Sequence, residues 1–389
     1  MLIHVRLQRY KFLYKERVFQ EENTISLKNA SLAGGIRPYL LTLQAMAAKR
    51  NILFIINPVS GTSGKDSLPG LIRRTIDAGR FDCAIVETTY AGQAATMASR
   101  AKDEADVIVA VGGDGTVNEV ARATAGSRAA LGIIPCGSGN GLARHLMLPM
   151  DPRRAVETIN RCVTRRLDYG IINGRPFFCT CGMGFDAFIS HKFAEAGRRG
   201  LVTYVEKVFR EGMRYKPEKY VLEEPGGRRV EAEAFLISCA NASQYGNNAY
   251  IAPQASMSDG MLDIIIMEPF DLLDAPRVVM DMMNKTLDKS PKIRTLRTGG
   301  ITIHRQKPGY IHYDGEPAME DADVDIRVVR EGISMIVNPD ADKSRRKPNA
   351  IQSTFSDIFN DLGSARDEII RQAQHMQDTL RRLRPFGDD

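Results

Sequence analysis

The chain has 389 residues, 43% of them hydrophobic, which is enough for two domains with separate cores. No run approaches the roughly 18 consecutive apolar residues of a membrane-spanning helix, and the N-terminus lacks the compact apolar stretch of a secretory leader. A net charge of +6 is too diffuse for a nucleic-acid surface and no tryptophan is present to stack bases, so no nucleic-acid partner is expected; anionic membranes and phosphorylated ligands stay compatible. Six cysteines without paired spacing read as reduced, buried thiols of a cytoplasmic protein.

Residues 1–45 have neither a helical nor an alternating period and read as an N-terminal extension ahead of Met46. From Asn51, the short apolar runs Ile52–Ile56, Cys83–Val86, Val107–Val111 and Leu131–Ile134 alternate with helical stretches at Leu68–Ala78, Gln93–Ala105 and Val117–Ala125. Strands that are apolar on both faces and alternate with helices predict a doubly wound α/β domain, here over residues 46–165. Ligands of such sheets bind at the carboxyl ends of the strands. After Arg165 the segments turn strand-like: Arg175–Thr180, Lys219–Glu223, Glu233–Cys239, Met261–Met267, Gly300–His304, Tyr310–Tyr313 and Val324–Val329. They predict a β-rich second domain over 166–342, a sandwich or open barrel, with Ile333–Val337 as a last strand that returns to the first domain. Residues 343–389 read as a polar linker and an amphipathic helix that docks on the body or on a second copy of the chain, as in a homodimer.

The strongest chemical signal is Val111-Gly112-Gly113-Asp114-Gly115-Thr116-Val117-Asn118-Glu119, where an apolar strand runs into glycines, one carboxylate and a helix start. Glycine lets the backbone approach phosphate oxygens, and the helix N-terminus turns its free N–H groups to the same place. A carboxylate there suits Mg²⁺ or a proton-accepting role. Two companion loops follow other strands: Asn57-Pro58-Val59-Ser60-Gly61 and Gly137-Ser138-Gly139-Asn140. The first lacks Walker A spacing and the second lacks the dinucleotide fingerprint. Three such loops at the ends of strands of one sheet predict a single phosphate site.

This set, in this order, resembles the diacylglycerol kinase catalytic-domain superfamily, which includes bacterial lipid kinases and sphingosine kinases. The Gly-Gly-Asp-Gly element alone is shared with NAD kinases and phosphofructokinases. The resemblance spans about Asn51 to Val337 and implies an α/β nucleotide domain beside a β-sandwich, with ATP and Mg²⁺ as cofactors. It further implies that Asn57 to Ser60, Thr88, Gly113 to Glu119 and Ser138 contact ATP. Asp259, with the main-chain carbonyls of Ser256 and Met261, would form a Mg²⁺ loop. In Asp314-Gly315-Glu316-Pro317, Glu316 would accept the proton of a lipid hydroxyl, Asp114 would organise phosphate and metal, and Asp186 would contact substrate. Glu316 and Asp114 compete for the role of base.

The implied reaction is phosphoryl transfer to a membrane lipid, diacylglycerol or a sphingoid base, by a peripherally membrane-associated enzyme. The apolar and basic residues between Phe185 and Tyr220 are a candidate membrane edge, with ordinary helix packing as the alternative. The competing readings are a soluble-substrate kinase of the NAD kinase type and a non-catalytic nucleotide or lipid sensor. The six histidines show no metal-ligand spacing, and only His312 lies near enough in sequence to approach the site.

Overall fold

The computed structural model describes residues 49–59, 68–196, 215–270 and 274–341. The N-terminal extension, the C-terminal tail with its expected amphipathic helix, and residues 197–214 of the candidate membrane edge lie outside the described residues.

Four strands, β1 (Arg50–Ile56), β2 (Phe81–Glu87), β3 (Val107–Gly112) and β4 (Ala130–Pro135), lie in the order β2-β1-β3-β4, all parallel. Alternate residues serve opposite faces. Ile55, Ile108, Ala110, Leu131 and Ile133 pack on one side with α2 (Gln93–Ala101), α3 (Asp114–Thr124) and the short α4 (Gly141–His145). Phe54, Val107, Val109, Val111 and Ile134 pack on the other with α1 (Leu68–Thr75) and α5 (Pro152–Arg161). Both faces are therefore covered, as the unbroken apolar runs required. The strand order reverses between β1 and β3, which places a ligand crevice at their carboxyl ends.

The second part is a sandwich. One layer holds β12 (Ile293–Thr298), β11 (Leu262–Met267), β10 (Leu236–Ala240), β7 (Thr180–Gly184), β14 (Gly309–Tyr313) and β15 (Glu316–Glu320), antiparallel in that order. The other layer contains β13 (Gly300–Arg305), β8 (Glu218–Glu223) and β9 (Arg229–Ala234), next to β16 (Asp323–Ile336), with β5 (Thr164–Ile172) and β6 (Arg175–Phe177) paired alongside. Tyr220, Leu222, Ile301, Ile303 and Ile326 of this layer meet Met183, Ile237, Ile264 and Ile311 of the first. Helix α6 (Phe185–Ala196) lies against β7, β14 and β15.

Two segmentations differ from the sequence reading. Glu233–Cys239 is not one strand but the end of β9 and the start of β10, in different layers. The break falls at Phe235, whose N–H goes to Met267 O and whose carbonyl accepts from Phe185 N. Likewise Val324–Val329 and Ile333–Val337 belong to one strand, β16, with a bulge between Val329 and Ile333. Its far end pairs in parallel with β4 through Met335 and Leu131, so the α/β sheet and one sandwich layer form a single sheet. The bulge is fixed by Glu331, at φ 48°, whose N–H is taken by the buried carboxylate of Asp168 at 2.7 Å.

Candidate functional site

The described parts of the three loops meet where the crevice was expected. Helix α3 begins at Asp114 itself, with Gly113 as its N-cap, three residues earlier than the Val117 start of the helical stretch read from sequence. The Asp114 carboxylate accepts the backbone N–H of Asn140 (2.8 Å) and of Gly141 (2.7 Å), which clamps the third loop to the first turn of α3. The glycines permit this approach. A Cβ on Gly137 would lie 2.6 Å from Gly113 Cα, and one on Gly139 would lie 2.6 Å from Asp114 Oδ2. Asn140, in the left-handed region at φ 52°, closes the loop by accepting Gly137 N–H and donating to Gly137 O.

The first loop joins through Asn57, whose N–H bonds Val111 O and whose Nδ2 donates to Thr116 Oγ1 at 3.0 Å. Gly112 is needed here, since a Cβ would stand 2.6 Å from Thr116 Oγ1. Pro58 and Val59 are exposed at the rim, with Val59 N–H on Asn57 Oδ1; Ser60 and Gly61 lie outside the described residues. Thr88 is buried just beyond β2, its N–H on Ile56 O. Val117 and Asn118 are buried in α3, whereas Gly115 and Ser138 are exposed. Glu119 points sideways, accepting Gly92 N–H and Ala94 N–H (3.1 Å each) at the start of α2. It secures the loop after β2 rather than facing the glycine loops.

Glu316 opens β15 after a two-residue hairpin turn in which Asp314 and Gly315 both have positive φ, the Asp-Gly pattern of a type I′ turn. Its carboxylate is 2.8 Å from Arg122 Nη1, an arginine on α3. The same guanidinium stacks on Tyr313, 4.9 Å from the ring centre, with Arg175 5.6 Å from that ring. One helix thus carries Asp114 at its start and grips Glu316 farther along. Arg122 was missed in the sequence; its only signal there is a lone charge amid the small residues Val120-Ala121 and Ala123-Thr124.

The turn is anchored by Asp314, whose carboxylate accepts three backbone N–H groups, from Phe178 (2.8 Å), Cys179 (2.7 Å) and Thr180 (3.1 Å). Burial nevertheless pushes its carboxyl up to about 6, against the pull of those donors and of Arg122. Cys179, next to the turn, has its thiol driven up by burial and then by the charges of Asp314 and Asp114. Asp186, at the start of α6, does not stand open to a substrate: Oδ2 receives His312 (2.9 Å) and Tyr245 (3.1 Å), and Oδ1 receives Ala187 N–H (2.8 Å).

The Ser256–Met261 segment is a tight loop. Asp259 Oδ1 accepts Met261 N–H, Gly260 at φ 70° gives its N–H to Asp168, and Asp259 Oδ2 meets Arg297 at 2.5 Å. Arg297 also pairs with buried Asp263 at 3.2 Å, where burial raises the carboxyl and Arg297 lowers it. Oxygen donors of this kind fit a hard cation in type, yet a divalent ion at Asp259 would have to displace a guanidinium. At Asp114 each carboxylate oxygen has one N–H partner among the contacts described and keeps a second lone pair, which suits the same ion. Among the described residues, no group of three or more His, Cys, Asp or Glu side chains is arranged around a metal position, and no helix is long and apolar enough to cross a membrane.

The described part of the Phe185–Tyr220 segment packs inward. Phe185 and Ile189 are buried, and Phe185, Phe188, Tyr215 and Phe235 form an aromatic cluster. A surface cavity of about 540 Å³ lies elsewhere, between α1 and α5, lined by Leu71, Arg74, Thr75, Arg153 and Glu157.

Two family models match the chain in tandem: the diacylglycerol kinase catalytic domain over residues 51–172 and the YegS C-terminal NAD kinase beta sandwich-like domain over residues 179–337. The chain is 29% identical over 272 residues to a diacylglycerol kinase of Bacillus subtilis, a match covering 67% of this chain and 88% of that one. It is 28% identical over 244 residues to the protein named "Probable lipid kinase YegS-like" of Chromohalobacter salexigens, covering 61% and 78% respectively. A solved structure of a diacylglycerol kinase from Bacillus anthracis superposes with a TM-score of 0.60 at 22% identity, covering 75% of this chain and 97% of that one. At that identity the structural likeness is one of fold.

Proposed function

Because the chain belongs to the diacylglycerol kinase catalytic-domain family, we propose that it is an ATP-dependent lipid kinase acting on the hydroxyl of a membrane lipid, diacylglycerol or a sphingoid long-chain base. The observation that carries this reading is the double use of α3, which holds the glycine loops at Asp114 and the acceptor-side carboxylate at Glu316 through Arg122. When bound, Mg²⁺·ATP supplies the phosphoryl group and neutralises its charge. Asp114, with its remaining lone pairs, and the loop at Ser256, Asp259 and Met261 are the places where Mg²⁺ would be held.

The residues of the chain then divide the work. Gly113, Gly137 and Gly139 let the two loops close on each other beside the N-terminus of α3, whose dipole attracts phosphate. Glu316, whose side chain is 42% exposed, accepts the proton as the lipid oxygen forms its bond to phosphorus and the phosphoanhydride bond breaks. Arg122 keeps that carboxylate in place. A lipid acceptor implies peripheral contact with a membrane.

A panel of diacylglycerol, sphinganine, ceramide, monoacylglycerol and NAD, each with ATP and Mg²⁺, tests the reading by the phosphorylated product. Product from diacylglycerol or sphinganine is expected. Transfer to NAD and to none of the lipids would sink it.

A further inference from the structure

His312 lies in β14 and is 2% exposed. Its Nε2 is 2.9 Å from Asp186 Oδ2, while its Nδ1 faces the backbone nitrogen of Gly315 at 3.4 Å, a long contact. A backbone N–H can only donate, so Nδ1 accepts and the ring proton sits on Nε2, where the Asp186 carboxylate takes it. The tautomer is dictated from both sides.

The surroundings are built to keep this arrangement. Gly182 in β7 makes room, since a Cβ there would lie 2.6 Å from Asp186 Oδ2 and 3.1 Å from His312 Nε2. Tyr245 Oη adds a second hydrogen bond to the same carboxylate oxygen, and its loop packs on the third glycine loop through Asn247 N–H to Gly139 O (2.9 Å). Across the hairpin His312 stands opposite Pro317. The turn that aims Glu316 is held by Asp314 N–H on Thr180 O and by two side-chain anchors, the Asp314 carboxylate and the His312 ring.

The geometry points to His312 as a positioning residue that, oriented by Asp186, sets the Asp314–Gly315 turn and with it the placement of Glu316. This rests on Glu316 being the proton acceptor of the proposed kinase, and it gives Asp186 a role other than touching substrate. Two substitutions separate the halves of the contact. His312→Asn keeps an acceptor at the position of Nδ1 and loses the reach to Asp186; His312→Gln does the reverse.

Amide hydrogen exchange of the peptide spanning residues 313–318 is measured for both variants in the full-length protein, beside steady-state kinetics with ATP and a lipid of the panel. In His312→Gln, exchange should speed up about 10-fold. Its kcat should fall about 10-fold or more, with KM for ATP changed by less than about twofold. His312→Asn should stay within about threefold of the parent in exchange and kcat. Equal effects of the two variants on exchange, or a loss of ATP affinity in step with kcat, would overturn the assignment and leave a core histidine that only packs. The exchange measurement needs no turnover, so it decides the matter even if no lipid accepts phosphate and the kinase reading itself fails.

Discussion

Asp114 holds two backbone N–H groups of a neighbouring loop, whereas Glu316 meets a single arginine at a half-open position, and the two carboxylates should respond differently to loss of charge. Asp114→Asn leaves one oxygen to do the work of two, with a cost of about 1–3 kcal/mol for the unsatisfied contact, and should weaken Mg·ATP binding as well as turnover. Glu316→Gln should abolish turnover and leave nucleotide affinity near that of the parent. Titration of nucleotide into each variant checks the split, and equal losses of affinity would reverse the assigned roles. Asp314 gives a pH signature. Its carboxyl is raised from 3.8 to about 6 by burial, so the folded state holds the proton more tightly than the unfolded one. Its contribution to stability is complete below about pH 4 and is lost as pH rises through about 6. Asp314→Asn should remove that slope, seen as a stability difference from the parent that shrinks from pH 4 to pH 7 in denaturant melts. At this scale sequence reasoning singled out Asp114 by its flanking glycines and Glu316 by the family resemblance, but not Arg122 or Asp168, whose partners are 194 and 163 residues away.

Helix α3 is the element on which the proposed chemistry turns, with the loop clamp at its first residue and Arg122 two turns later. Arg122→Gln should cost about 1 kcal/mol of stability or less, as a partly exposed ion pair, yet lower kcat about 10-fold by freeing Glu316. Thermal melts and lipid phosphorylation measured together distinguish this from general loosening, which would move both. The α/β elements were legible because their strands are apolar on both faces and each helix follows a turn; Val107–Gly112 and Ala130–Pro135 are buried throughout. The β-rich elements were less so. Nothing in the run Glu233–Cys239 marks Phe235 as the point where the chain changes layer, because no glycine, proline or turn residue stands there and the reason lies in the distant carbonyl of Met267. The bulge in β16 did show locally, as the break between Val329 and Ile333, but not that one strand continues through it; Asp168 holds the bulged backbone.

Across the whole molecule, an α/β domain with a β-sandwich was readable from the change of grammar near Arg165, whereas the fusion of the two through one sheet depends on pairings that no local pattern encodes. β16 is the joint. It pairs along its length with β5, with β13 at one end and with β4 at the other. A fragment of residues 49–172 would therefore keep all four parallel strands yet lack their neighbour. The flank of Leu131-Gly132-Ile133-Ile134, all buried in the intact protein, would become an open strand edge with no charge in it and a proline only at the strand's last residue. Such a fragment should be recovered as aggregate, and a fusion that supplies residues 323–337 on the same chain should return part of it to solution, as read by sedimentation. Monodisperse behaviour of the bare fragment would contradict this. The consequence reaches laboratory handling as much as folding: the boundary between the two matched families, near residues 172–179, is a place to recognise the protein but not a place to cut it.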